Sequence, residues 1–285
     1  MSRIAYVNGR YLPHAEAGVS IEDRGFQFAD GVYEVCEVRG GRLVDEPRHM
    51  VRLDRSLTEL RIAHPMPASA LSVVLHETVR RNRVRDGIVY LQVTRGTMKR
   101  DFPFPPADTR PSVVVTARAN DLVRLERQAS EGIAVVTVPD IRWQRVDIKS
   151  VALLPNVLAK QEARDRGAKE AWLVDAKGFV TEGASSNAWI VSKDNKLITR
   201  PLGSGILPGI TRSVVLDLIA AQGLKLEERA FTVEEAYAAR EAFVTSASQI
   251  VMPVVSIDGR PVGNGAPGLM AAALRRDYHT QAAFT

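Results

Sequence analysis

Hydrophobic and polar residues along the chain follow two periods, one typical of β-strands and one typical of α-helices. In the first part of the chain, short β-rich runs flank Asn8-Gly9 and Gly40-Gly41, which predicts hairpins. Two segments, 47–62 and 69–82, place apolar residues three or four positions apart and are predicted to be helices. The predicted strands of this part are 4–7, 32–38, 42–44, 88–94 and 112–117.

The second part of the chain repeats this alternation with more strands. Helices are predicted over 153–166 and 211–222, a capping box at 232–235 opens another, and Pro267 begins a last one. The segment 119–131 is polar and lacks strong periodicity. We therefore expect an α/β (α+β) chain with a small N-terminal domain (1–120), a linker (121–131) and a larger β-rich domain (132–285). The predicted strands of the larger domain are 133–138, 171–175, 179–181, 188–191, 196–199, 242–245 and 252–257.

The composition is that of an ordinary globular protein, with 45% hydrophobic and 25% charged residues in a chain of 285. The longest uncharged stretch, 242–257, is too short and too polar to cross a membrane. The first residues contain no apolar core of signal-peptide length, so secretion is not expected. The single cysteine, Cys36, cannot form an intramolecular disulfide, which favours a reducing, cytoplasmic environment.

The charge pattern gives only weak support for an acidic partner such as nucleic acid. The net charge of +5 favours acidic ligands only mildly. The one dense basic cluster, 80–85, has no aromatic residues among its arginines, so we expect no nucleic-acid partner. The five histidines are scattered without metal-ligand spacing, so we expect no metal site.

Four features could take part in chemistry, although each also has an ordinary structural explanation. Lys149 is either an exposed turn lysine or an amine that forms a Schiff base. Glu182, in TEGASSN, is either a surface hairpin acid or a carboxylate that faces the cationic nitrogen of a heteroaromatic ring. The segment ILPGITR (206–212) opens a helix where a phosphate could bind, and FVTSA (243–247) ends a strand in hydroxyl groups.

Several longer motifs resemble those of the class IV pyridoxal-phosphate aminotransferases, the family that includes D-amino acid and branched-chain aminotransferases and aminodeoxychorismate lyase. The resemblance implies the two-domain architecture of fold type IV, pyridoxal 5′-phosphate as cofactor, amino acids and 2-oxo acids as substrates, and a homodimer. The motifs follow one another along nearly the whole chain and are EDRGFQFADGVYEV (22–35), HMVRLDRS (49–56), YLQVTRGT (90–97), DIRWQRVDIKS (140–150), LLPNVLAKQEARDRG (153–167), TEGASSN (181–187), ILPGITR (206–212) and FVTSAS (243–248).

The resemblance also implies a role for each matching residue. Lys149 would form the Schiff base with the cofactor and carry the proton between substrate Cα and cofactor C4′. Glu182 would pair with the pyridine nitrogen, and Arg52 would contact the phosphate. The other residues implied in cofactor binding are Ser186, Asn187, Leu207, Gly209, Ile210, Thr211, Ser246 and Ala247.

Within the family, the motifs are most similar to those of D-amino acid aminotransferases. In that group, residues at the positions of Arg100 and Tyr33 hold the substrate α-carboxylate, and Val35 belongs to the same substrate-binding strand. Two residues differ from the group, namely Phe102 in place of a His and Ala247 in place of a Thr. We expect ping-pong transfer between a D-amino acid, such as D-alanine, and a 2-oxo acid, such as 2-oxoglutarate. An L-branched-chain transaminase and an aminodeoxychorismate lyase are the alternatives.

Overall fold

The computed structural model describes residues 3–285, which fold into two compact units. Unit 1 contains the described chain up to Asp121, together with Ile148–Ala152 and Ala283–Thr285. Unit 2 contains Leu122–Asp147 and Leu153–Ala282. The segment that carries Lys149 therefore belongs to unit 1, although both of its sequence neighbours belong to unit 2.

Unit 1 is built on a six-stranded antiparallel sheet. Its elements are β1 (Ile4–Val7), β2 (Arg10–Pro13), a 3-10 turn (His14–Glu16), α1 (Arg24–Phe28), β3 (Gly31–Arg39), β4 (Arg42–Leu43), α2 (Glu46–Glu59), α3 (Ala68–Arg81), β5 (Gly87–Thr94) and β6 (Ser112–Ala119). The strand order is β2-β1-β6-β5-β3-β4. Helix α2 packs against β3, and α3 packs against β1, β5 and β6. Leu53 and Leu57 of α2 meet Val32 and Cys36 of β3 in the core, because alternate residues of a strand point to the same face.

The segment 283–285 completes the edge of unit 1 next to β4. The backbones of Leu43 and Thr285 exchange two N–H···O hydrogen bonds of 3.0 Å. The Asp45 N–H donates to the Ala283 carbonyl at 2.7 Å, and the Asp45 carboxylate accepts from the Ala283 N–H at 3.0 Å. Residues more than 230 positions apart in sequence are thus neighbours in this unit.

Unit 2 is built on a mixed nine-stranded sheet. Its elements are α4 (Leu122–Glu131), β7 (Ile133–Pro139), α5 (Leu154–Asp165), β8 (Glu170–Val174), β9 (Val180–Gly183), β10 (Asn187–Val191), β11 (Leu197–Thr199), α6 (Ile210–Ala221), β12 (Leu226–Glu228), α7 (Val233–Tyr237), β13 (Glu241–Ser246), β14 (Ile250–Ile257), β15 (Arg260–Pro261) and α8 (Leu269–Gln281). The strand order is β12-β11-β10-β13-β14-β7-β8-β9, with β15 paired to β14. Helices α6 and α8 pack against β13, and α5 packs against β7 and β8. This sheet supports Glu182 on β9 and Asn187 on β10.

The longer predicted helices and strands are observed, but two helices differ from expectation. The stretch predicted as a linker, 121–131, contains helix α4, whose Ala129 is buried. Its many charged residues hid a narrow apolar face in the sequence. Helix α1 has only five residues, too few to show a helical period, and is stabilised by the Asp23 side chain, which accepts from the Gly25 N–H at 2.8 Å.

Candidate active site

Lys149 has a firmly anchored backbone within unit 1. Its carbonyl accepts a hydrogen bond from the Tyr33 N–H at 3.0 Å, and its own N–H donates to Ser56 Oγ at 3.3 Å. The preceding Ile148 is buried in the core of the unit. The Lys149 side chain is half-buried, and its Nζ lies 4.2 Å from the centroid of the Tyr33 ring. The amine therefore projects from a rigid base over an aromatic face, and not from an exposed turn.

A buried ion cluster joins β3 to α2. Glu34 Oε1 accepts from Arg52 Nε at 2.8 Å, and Glu34 Oε2 accepts from Arg52 Nη2 at 2.7 Å. His49 Nδ1 lies 2.7 Å from the same Oε2. Glu34 is only 1% exposed, and both partners are also buried. The carboxylate therefore fixes the plane of the Arg52 guanidinium through two parallel hydrogen bonds.

The pKa values in this cluster follow from its burial and charges. Burial alone would raise the pKa of Glu34, but the Arg52 charge and the hydrogen bonds from Arg52 and His49 lower that pKa to about 2. Burial lowers the pKa of His49, and the nearby cations Arg52 and Lys149 add to this effect and outweigh Glu34. The cluster thus holds a carboxylate and a guanidinium in their charged forms beside a neutral imidazole.

Tyr33 and Val35, predicted to contact substrate, lie on the face of β3 opposite Glu34. Both side chains are half-buried. The Tyr33 ring stacks on Tyr90 with 5.7 Å between centroids, and burial together with Tyr33 raises the pKa of Tyr90 to about 12. The Tyr90 hydroxyl is therefore un-ionised near neutral pH, and it donates to Gln92 Oε1 at 2.6 Å.

Arg100 lies in the loop between β5 and β6, where its side chain is exposed. Its guanidinium carbon is 4.8 Å from the centroid of the Phe28 ring and 5.8 Å from that of Phe102. Phe102, which stands where the resembling group has a histidine, thus contacts Arg100 through its aromatic ring.

Glu182 is the centre of a polar cluster in unit 2. Its carboxylate forms an ion pair with Arg142, which in turn binds Asp140 through Nε at 2.9 Å and Nη2 at 2.7 Å. Thr181 donates to Asp140 at 2.7 Å. Burial raises the pKa of Glu182 to about 7, despite the opposing effect of Arg142. The carboxylate is therefore buried and easily protonated, unlike that of a surface hairpin acid.

Asn187 connects Glu182 to the segment that precedes α6. Its Nδ2 donates to Glu182 Oε2 at 2.9 Å and to the Leu207 carbonyl at 3.0 Å. The Leu207 N–H donates to the Glu182 carboxylate at 3.2 Å. A Cβ atom added at Gly209 would overlap with Asn187 Oδ1, so this close approach requires glycine. The structure thus brings Glu182, Asn187, Leu207 and Gly209 together, and their role in one cofactor site stays a prediction.

The first turn of α6 and the end of β13 contain the remaining predicted residues. Ile210 and Thr211 are buried in the first turn, and Gly209 provides no side-chain cap. Ser246 ends β13, and Ala247 begins the turn to β14; both are half-buried. Asn187 pairs in register with Thr245, directly before Ser246. Backbone N–H groups at a helix start favour an anion, and the phosphate-binding role of these residues stays a prediction.

Ser186 is placed differently from its predicted partners. Its Oγ donates to Glu170 Oε2 at 3.1 Å, and its carbonyl accepts from the Gly183 N–H at 2.7 Å. Ser185 donates to the same Glu170 oxygen at 2.8 Å. The Ser186 side chain therefore holds the turn between β9 and β10, and its predicted contact with a cofactor stays a prediction.

Sequence reasoning missed several charged residues of these clusters. Glu34 was visible as an acid on the same strand face as the apolar Val32 and Cys36 in VYEVCEV. Arg142 lies between Asp140 and Trp143 in the quoted DIRWQRVDIKS motif, but nothing in the sequence links it to Glu182, 40 residues away. Among the described residues, 3–285, no cluster of metal-ligating side chains is found, and no helix has the length and apolarity needed to cross a membrane.

The family model described as "Amino-transferase class IV" matches residues 31–257. The chain therefore belongs to the class IV aminotransferases.

Two similar proteins are D-alanine aminotransferases. That of Bacillus licheniformis is 44% identical over 261 residues, which cover 92% of this chain and 90% of that protein. That of Staphylococcus haemolyticus is 38% identical over 275 residues, which cover 96% of each chain.

Solved structures of branched-chain aminotransferases share the fold. The T.th. enzyme with pyridoxamine 5′-phosphate has a TM-score of 0.89 and 26% identity, covering 98% of this chain and 93% of that one. The enzyme of Thermoproteus uzoniensis with norvaline has a TM-score of 0.84 and 29% identity, covering 98% of this chain and 94% of that one.

Proposed function

We propose that the protein is a pyridoxal 5′-phosphate-dependent transaminase that uses a D-amino acid, such as D-alanine, and a 2-oxo acid, such as 2-oxoglutarate. The reaction is ping-pong: the amino donor leaves as its 2-oxo acid product, with its amino group retained by the enzyme, before the acceptor 2-oxo acid binds. The observation that carries this proposal is the 44% identity to a D-alanine aminotransferase over 92% of the chain. The chemistry of the clustered residues supports the cofactor.

The residues present fit pyridoxal phosphate in kind. The half-buried Lys149 provides an amine, and the Arg52 guanidinium and the first turn of α6 suit a phosphate. Glu182 is buried with a pKa of about 7. A protonated ring nitrogen beside Glu182 would lower that pKa and keep the carboxylate ionised. Leu207 and Gly209 lie next to Glu182 through Asn187, where backbone can approach a flat ring.

When bound, pyridoxal phosphate supplies an aldehyde that condenses with primary amines and a ring that takes up the electron pair left at Cα. We assign to Lys149 the removal of the proton from substrate Cα and its return at C4′. The anchored backbone and the Tyr33 ring hold the amine in one place for both transfers. Arg52, oriented by Glu34, would hold the phosphate, and so would the N–H groups of Ile210 and Thr211. Ser246 and Ala247 would add further phosphate contacts.

We assign recognition of the substrate α-carboxylate to Arg100 and Tyr33, with Val35 beside the substrate side chain. A guanidinium matches a carboxylate in geometry, and the Tyr33 hydroxyl can donate. Arg100→Ala should raise KM for D-alanine about 10- to 100-fold, the effect of one hydrogen bond to a charged group. Lys99→Ala, which removes a neighbouring exposed cation, is the control and should leave KM unchanged.

The first experiment is a visible absorption spectrum of the purified protein, before and after D-alanine and, separately, L-leucine. A yellow band that bleaches only with D-alanine is the expected result. Bleaching only with L-leucine would make the protein a branched-chain transaminase, the activity of the structurally similar enzymes. Absence of a band after addition of pyridoxal phosphate would contradict the cofactor assignment. Release of pyruvate from aminodeoxychorismate without an acceptor would indicate the lyase.

We also infer that the protein acts as a homodimer in the cytoplasm. Large apolar side chains are exposed in each unit, among them Ile21 and Phe26 in unit 1 and Leu154 and Leu202 in unit 2. These side chains are available for burial between two copies, and the homodimer itself is what the resemblance to the class IV aminotransferases implies. The single thiol, Cys36, is buried and suits a reducing compartment. Sedimentation equilibrium should give twice the chain mass of 31.3 kDa, and a monomer at micromolar concentration would contradict the dimer.

A further inference from the structure

We propose that Arg24 is a positioning residue for Arg100, because it fixes the backbone from which the Arg100 side chain extends. This inference rests on the proposed function, in which Arg100 binds the substrate carboxylate. The loop between β5 and β6 is held on both sides of Arg100 by α1 and the residues just before it.

The Arg24 side chain binds the three residues that follow Arg100. Its Nη1 donates to the carbonyls of Asp101 at 2.7 Å and Pro103 at 3.2 Å, and its Nη2 donates to the Phe102 carbonyl at 3.3 Å. Arg24 is 4% exposed. A guanidinium is the only side chain with enough fixed donors to bind three consecutive carbonyls at once.

The backbone of the loop before Arg100 is bound to the same region. The Arg24 N–H donates to the Gly96 carbonyl at 2.9 Å, and the Met98 N–H donates to the Glu22 carbonyl at 3.2 Å. Arg100 is thus bracketed by contacts at 96 and 98 on one side and at 101–103 on the other.

Phe28, at the end of α1, supports the Arg100 side chain itself. Its ring centroid lies 4.8 Å from the guanidinium carbons of both Arg24 and Arg100. The Phe28 and Phe102 rings are 5.3 Å apart. The two rings therefore limit the orientation of the Arg100 guanidinium. One of them, Phe102, stands where the resembling group has a histidine.

Arg24 also forms an ion pair, which could give it a purely structural role. Its Nε also donates to Asp30 Oδ2 at 2.8 Å, but Asp30 accepts two further hydrogen bonds from Arg95, at 2.7 and 2.9 Å. Asp30 therefore keeps a cationic partner when Arg24 is removed. Arg95 is the control for loss of a buried arginine that binds Asp30: its other donors go to the carbonyls of Leu60 and Arg61, and its guanidinium lies over the Phe104 ring and not on the carbonyls of residues 101–103.

The test compares single-turnover bleaching of the holoenzyme by D-alanine and by D-alaninol, which lacks the carboxylate. Arg24→Met should lower the second-order rate constant for bleaching by D-alanine about 10- to 100-fold, as expected if the Arg100 guanidinium is misplaced by about 1 Å. The rate constant for bleaching by D-alaninol should change less than about twofold, because D-alaninol has no carboxylate for Arg100 to bind. Arg95→Met should not discriminate between the two amines. Arg24→Lys, which retains one donor group, should lie between wild type and Arg24→Met.

A double-mutant cycle makes the coupling measurable. If Arg24 acts through Arg100, then Arg24→Met should add little to the loss caused by Arg100→Ala, because the positioned group is already absent. Equal losses with both amines, or full additivity, would overturn the proposal. Phe28→Leu offers a second variant if Arg24→Met does not fold. It should also lower the rate constant for D-alanine more than that for D-alaninol. An equal decrease with both amines would again overturn the proposal.

The outcomes also separate this inference from the proposed function. If Arg100→Ala leaves the rate constant for D-alanine unchanged, Arg100 does not bind the carboxylate. The positioning role of Arg24 is then also wrong, whereas the transamination proposal stands. If Arg100→Ala is impaired and Arg24→Met is not, only the positioning inference fails. If wild type does not bleach with D-alanine, the proposed substrate class is wrong.

Discussion

Replacement of Glu34 by Gln tests the reasoning on the buried ion cluster. The substitution keeps the shape of the side chain but removes its charge. Glu34 Oε2 accepts from Arg52 Nη2 and contacts His49 Nδ1, and a Gln amide nitrogen in that place cannot accept from a guanidinium. The Arg52 cation would then lie buried without its carboxylate partner, an arrangement that typically costs about 3–5 kcal/mol.

The pKa of Glu34 gives a similar magnitude. The pKa falls from an ordinary value of 4.5 to about 2 in the folded protein. At about 1.4 kcal/mol per pH unit, this difference contributes about 3 kcal/mol of stability. Because the folded pKa is lowered, the contribution is present above pH 4.5 and is lost as the pH falls from 4.5 towards 2. Glu34→Gln should lose about 3 kcal/mol at pH 7 and should no longer depend on pH through this group.

The assay is urea unfolding of the cofactor-free protein, followed by circular dichroism. Fluorescence would miss unit 1, because all three tryptophans lie in unit 2. Glu77 provides the control, since its pKa is also about 2, but its partners Arg80 and Arg81 lie at the surface of α3. Glu77→Gln should leave the unfolding curve nearly unchanged, because solvent screens such pairs. A loss of less than about 1 kcal/mol in the free energy of unfolding of Glu34→Gln would refute the reasoning. So would an unchanged dependence of that free energy on pH in the acid range.

Three further predictions concern both units. Lys149→Ala should abolish turnover and the visible band while circular dichroism stays unchanged; retained multiple turnover would remove Lys149 from proton transfer. The raised pKa of Glu182 means that its contribution to apoprotein stability is present below pH 4.5 and lost as the pH rises through about 7, a slope that Glu182→Gln should remove in urea unfolding. Thr232→Ala, which breaks the capping box with Glu235 at α7, should cost about 1 kcal/mol with unchanged kcat; no measurable cost would show that tertiary packing alone holds α7.

The sequence predicted most of the regular structure because long amphipathic segments dominate local conformation. Helices α2 and α6 were predicted within one to three residues of their observed bounds, since apolar residues recur on one face of each. Helix α4 was missed because its charged residues outnumber its few buried ones.

The candidate site was predictable only as far as its motifs reach. Lys149 and Glu182 stand in motifs that imply their chemistry, but the residues that hold them were not identified. Arg24 binds carbonyls 77 to 79 residues away, and Arg142 binds Glu182 across 40 residues. A single sequence contains no information on such pairs, because they arise from tertiary packing and not from local periodicity.

The contacts of the segment 283–285 with Leu43 and Asp45 have a consequence for the order in which the chain folds. During synthesis from the N-terminus, unit 1 begins first, yet the edge beside β4 receives its last hydrogen bonds only after about 240 further residues have been made. The segment with Lys149 likewise joins unit 1 after part of unit 2 has been made. Closing so long a loop delays these contacts relative to local ones. The unit that is made first is therefore completed last.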